Sequence, residues 1–74
     1  MLRATTAPHR PAAVLACLWE LRDGTCAFVV EHVGAPRWEL RIMRRGSIVG
    51  ERRFEAIVDL MATSLAEYHA ASER

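Results

Sequence analysis

The sequence predicts an α+β fold, an antiparallel four-stranded β-meander with one C-terminal helix packed on one face. Three observations carry this expectation. Phe54, Ile57, Val58, Met61, Leu65 and Tyr68 recur at helical spacing, the mark of an amphipathic helix that lies on something else. Asp23-Gly24 separates two apolar-rich runs, a strong short-range hairpin signal. Trp38 to Ile42 alternates apolar and charged residues as a half-buried strand does. One helix cannot build a core alone, so the strands before it must supply the surface that it covers.

Taken in order, residues 1 to 13 contain prolines, threonines, His9 and two arginines without apolar periodicity, and read as a flexible tail. The domain is expected over residues 14 to 74. A two-residue turn at Asp23 and Gly24 would set Arg22 opposite Thr25, Leu21 opposite Cys26, Trp19 opposite Phe28 and Cys17 opposite Val30, all apolar beyond the first pair. Leu18 and Val29 then fall on the other, partly wet face. In this register Cys17 and Cys26 are too far apart for a disulfide and read as small core residues.

Gly34, Ala35 and Pro36 break the chain before the third strand, whose Trp38, Leu40 and Ile42 point inward. Arg44-Arg45-Gly46 suits a hairpin turn into a short, Arg-rich fourth strand, Ser47 to Arg52. A three-residue loop would pair Ile42 with Ile48 and a two-residue loop would pair it with Val49. Both registers remain open. The helix starts near Arg53-Phe54 without a Ser, Thr, Asp or Asn cap, though Glu55 and Asp59 suit its positive end. The expected core is Trp19, Phe28, Trp38, Leu40, Phe54, Ile57, Met61 and Leu65.

Composition bounds the function. Seventy-four residues hold one domain with a small core, which makes self-association an expectation from size alone. All ten basic residues are Arg, there is no Lys, Asn or Gln, and twelve residues are Ala, a bias that reads as a GC-rich genome rather than a phosphate-binding device. A net charge of +1 gives no global field toward DNA or a membrane. With no signal-peptide pattern and no apolar run of membrane-spanning length, the expected location is cytoplasmic, with no membrane partner.

The candidates for chemistry are few. His9, His32 and His69 sit in no recognised catalytic motif, so no enzyme activity and no catalytic residue is expected. Cys17, His32 and His69 are the best candidate metal ligands, but a structural zinc site wants four, and neither metal nor cofactor is expected. Residues 37 to 53 hold six arginines against two glutamates, so positive charge is polarised toward the second hairpin. Arg41, Arg44, Arg45, Arg52 and Arg53 are therefore candidate phosphate contacts for nucleic acid. The outward Leu18, Val29 and Met43 of the sheet, and the small-residue stripe Ala62, Ala66, Ala70 of the helix, are candidate interface residues.

The order of a Trp-led strand, an Arg-Gly turn, a short strand, Phe54 and a covering helix looks like several small bacterial domains of unknown function. Over residues 14 to 71 it also resembles, in layout, the four-strand-plus-helix fold of single-stranded-DNA-binding coactivators. The resemblance lies in element order, and no functional residue is carried over from it. The expected function is a non-catalytic interaction module that forms a homodimer or takes a protein partner, with nucleic-acid binding through the Arg-rich hairpin as the alternative.

Overall fold

The computed structural model describes residues 12 to 73. Four strands, β1 (Ala12–Glu20), β2 (Thr25–His32), β3 (Trp38–Arg44) and β4 (Ser47–Phe54), form one antiparallel sheet in the order β1-β2-β3-β4. A single helix, α1 (Ile57–Ser72), follows. The ββββα order matches the sequence reading. Residues 1 to 11 of the expected tail lie outside the described residues, and Ala12 and Ala13 already belong to β1.

The first hairpin corrects the predicted register. Gly24 N–H donates to Leu21 O at 3.1 Å and Leu21 N–H donates to Thr25 O at 2.8 Å, so the loop is Arg22-Asp23-Gly24, three residues rather than two. Gly24 alone adopts a positive φ, 91°, whereas the two-residue loop would need one at Asp23 as well. Asp23 instead uses Oδ1 to accept the Thr25 N–H at 2.9 Å, closing the turn from its side chain. A one-residue slip turns a strand over. Cys26 and Phe28 thus move to the outer face, away from the helix, while Ala27 and Val29 move beneath it.

Irregularities in β1 then adjust its own facing. The pairing skips Leu15 and Leu18, so Trp19 sits opposite Ala27, Cys17 opposite Phe28 and Val14 opposite Val30. Trp19 therefore remains inside as predicted, although its partner is different. At the second hairpin Arg45 and Gly46, with φ of 53° and 84°, form a two-residue loop between Arg44 and Ser47. Met43 pairs with Ile48, and a bulge at Val49 sets Ile42 opposite Gly50, which is neither of the two predicted pairings.

The core under α1 is Ala27, Val29, Leu40 and Leu60, with Leu18, Trp19, Trp38, Ile42 and Phe54 packed around it. Phe54 closes β4 rather than opening the helix. The helix lies over β3 and β4, starts without a side-chain cap at Ala56, and buries Leu60 and Ser64. Its predicted inner stripe is not inside. Ile57, Val58, Met61 and Leu65 are exposed by 40, 67, 48 and 59%. Leu60 fits the shallow floor made by Ala27 and Val29, and Ser64 meets the Trp19 indole, whose Nε1–H lies 3.1 Å from Ser64 Oγ and 3.2 Å from Ser64 O. These two contacts fix the rotation of the helix.

Candidate functional site

The arginines expected to act together do not share a surface. Arg41 and Arg53 pair with Glu51 and Glu39 across the β3–β4 ladder on the outer face, and both are held within the chain. Arg41 binds Glu39 through two bonds of 2.8 and 3.0 Å, and Arg53 Nε donates to Pro36 O at 2.8 Å. Arg44 and Arg52 line the inner side. Arg44 Nε donates to Thr25 Oγ1 at 3.0 Å, and the Arg52 guanidinium stands 5.4 Å over the Phe54 ring. Arg45, exposed in the turn, is left at the tip.

The meander adds one residue that the sequence reading missed. Turns one and three fall at the same end of an antiparallel sheet, and a Cβ built on Gly24 would lie 3.6 Å from Arg45 Cγ, so the two turns touch. Arg22 therefore joins Arg44 and Arg45 at one corner. The signal was available in the strand order, because alternate turns of any meander share an end.

On the outer face Glu39 is only 2% exposed. His32 Nε2 lies 2.5 Å from its Oε1, and Arg41 forks onto both oxygens. Burial pushes the Glu39 carboxyl up, but hydrogen bonds from Arg41 and His32, reinforced by their charges, outweigh it and hold the group below its ordinary value of 4.5. The same pairing raises the Arg41 guanidinium. A buried charge with this many partners is satisfied and anchors the face. Beside it Val14, Phe28, Arg41 and Met43 line a shallow depression of about 130 Å³.

A larger cleft of about 430 Å³ opens between α1 and the β3–β4 side of the sheet, with Trp19, Ile42, Arg44, Arg52, Thr63 and Glu67 among its walls. Cys17 is exposed on the outer face of β1 rather than packed as a core residue, and Cys26 is half-buried with its thiol pushed up by burial, then by Cys17 and Glu20. Both are free thiols. Among the described residues no group of three or more His, Cys, Asp or Glu is placed to hold a metal ion. No described helix is long and apolar enough to cross a membrane.

The interface candidates divide. Val29, expected on the outer face, is 7% exposed in the core, and Leu18, expected beside it, packs against that core; the slipped hairpin register and the β1 bulges account for both. Met43 is on the outer face, half-buried, and Ala62, Ala66 and Ala70 are exposed along the helix. Val58, Met61 and Leu65 on the helix and Val14 and Leu15 on β1, the last two exposed by 58 and 51%, are uncovered apolar side chains, Val14 on the outer face beside Phe28 and Met43. Comparison with protein-family models, curated proteins and solved structures finds no match to this chain.

Proposed function

We propose that this protein is a non-catalytic interaction module that works as a homodimer. The supporting observation is the rotation of α1, which buries Leu60 and Ser64 and turns Val58, Met61 and Leu65 to solvent. An amphipathic helix left with its richest apolar stripe uncovered forgoes burial worth about 25 cal/mol for each Å². A second surface recovers it. The small single core supports the same reading, since a domain of this length gains proportionately more from association than a large one. Sedimentation equilibrium tests it: the wild-type chain should show a dimer mass at micromolar concentration, and a monomer at about 100 μM would refute the proposal.

Nucleic-acid binding is the second reading, favoured by the convergence of Arg22, Arg44 and Arg45 at one corner of the sheet. Arg41 and Arg53 contribute less to it, being bonded to Glu39 and to the β2–β3 loop. Replacing Arg22 and Arg45 with Ala should weaken binding to every nucleic-acid sequence alike and flatten its salt dependence. Absence of binding at low salt would remove this reading.

A further inference from the structure

Both outer strands of the sheet are edges, and they are not protected alike. β4 carries Glu51, Arg52 and Arg53, charges that a pairing strand would have to desolvate. β1, Ala12–Glu20, carries one charge, Glu20 at its last position, and no proline. Val14 and Leu15 are exposed there, and the helix lies over the opposite half of the sheet. An apolar edge whose one charge stands at its end is a template for another strand.

The helix points its apolar flank toward that same edge. Trp19 of β1 meets the Tyr68 ring at 5.6 Å, edge to face, and donates to Ser64. Met61, Leu65 and Tyr68 lie on one side of the helix at spacings of four and three, so this side faces the β1 half of the sheet. Leu15, Val58, Met61, Leu65 and Tyr68 together expose on the order of 500 Å², well over half of the roughly 800 Å² that a standard interface takes from each partner, while Val14 lies on the outer face beside Phe28 and Met43.

We infer that the occupant of this surface is a second copy of the chain, joined β1 to β1 in antiparallel register about a two-fold axis, so that two four-stranded sheets become one continuous sheet with both helices on the same side. Rotational symmetry decides among the pairings. β1 against β4 is head-to-tail and continues past two chains to a ring or a fibre, and β4 against β4 brings Glu51, Arg52 and Arg53 to the seam. Only β1 against β1 both closes at two chains and leaves Glu51, Arg52 and Arg53 in water. The irregularities at Leu15 and Leu18 shorten the new ladder, and the helix flank that carries Tyr68 faces it across Trp19. This geometry rests on the homodimer proposed above and specifies its face.

Cys17 makes the geometry testable, because it is exposed and one residue from the middle of β1. An axis near that midpoint brings two Cys17 thiols onto one face within roughly 10 Å of each other. Cys26→Ser leaves Cys17 as the single thiol without touching β1, and a short bismaleimide should then link two chains in high yield at concentrations where the dimer forms. Leu15→Lys, which adds a guarding charge to the edge, should raise the dimer dissociation constant at least tenfold and abolish the cross-link, with the tryptophan fluorescence of the folded chain unchanged. A dimer that sediments normally but gives no Cys17 cross-link overturns the β1 seam while leaving self-association standing. Growth beyond a dimer overturns it in favour of head-to-tail pairing. A wild-type monomer removes both claims.

Discussion

Leu60 and Leu65 are the same residue type five positions apart on one helix, and the structure assigns them opposite energetic roles. Leu60 is fully buried among Ala27, Val29 and Leu40, whereas Leu65 is 59% exposed. Truncating Leu60 to Ala removes buried methyl groups and leaves a void that small neighbours cannot collapse to fill, a loss of about 2 to 5 kcal/mol. A chain of this length has only about 4 to 11 kcal/mol in total at the usual stability per residue, so Leu60→Ala should lose a large part of its cooperativity margin. Leu65→Ala should change the stability of the dilute monomer by no more than about 0.5 kcal/mol. Urea denaturation read by tryptophan fluorescence measures both, since Trp19 and Trp38 pack against the cluster that contains Leu60. Repeating the series at rising protein concentration separates the roles further. The wild-type midpoint should climb as the dimer forms, and that climb should shrink in Leu65→Ala and survive in Leu60→Ala, because dimer formation stabilises only the folded state. Equal losses for the two variants under dilute conditions would show that the helix is rotated from the position described, and the reasoning built on its exposed flank would fall with it.

Two further outcomes follow from the outer face and the turns. Because the folded Glu39 carboxyl is held below its ordinary value, its contribution is complete at neutral pH and is lost as pH falls from about 4.5 through the depressed folded value. Glu39→Gln should cost about 1 to 3 kcal/mol at pH 7 by leaving Arg41 and His32 short of an acceptor, and the gap to wild type should narrow in acid; a gap that stays constant between pH 7 and 3 would contradict the assignment. At the first turn Gly24→Ala should lower stability by about 1 kcal/mol or more, since φ is 91° there. Gly50→Ala, with a new Cβ 3.8 Å from Ile42 Cβ and no positive φ, should stay within about 0.5 kcal/mol, so equal denaturation midpoints for the two variants would place the strain elsewhere.

The strand order, the positions of both hairpins and the C-terminal helix were legible in the sequence because each depends on local chemistry. Gly24 and Gly46 mark turns by backbone freedom, and the Trp38 to Ile42 alternation marks a strand by its period. Facing was less legible. It depends on whether the first loop holds two or three residues, and Asp23 decides that with a side-chain bond to Thr25 that composition does not reveal. The same one-residue difference moved Phe28 and Val29 to opposite faces from those expected, while the skipped Leu18 returned Trp19 to the inside.

The helix carries the more general point. Periodicity identifies Val58, Met61 and Leu65 as a stripe that wants cover, and it says nothing about which surface provides it. Within the chain the contest is settled by two long-range contacts, Leu60 on the Ala27–Val29 floor and the Trp19 indole on Ser64, neither visible from helical spacing. A stripe that a helix presents and its own sheet leaves uncovered is the expected signature of a domain whose hydrophobic core is completed by a second molecule. The β1 edge, charged only at Glu20, lies on the side of the helix that carries Tyr68. Sequence pattern and structure differ about the rotation of the helix within the single chain. In the dimer proposed above the same apolar residues would again be interior, and the periodic pattern would regain its ordinary meaning.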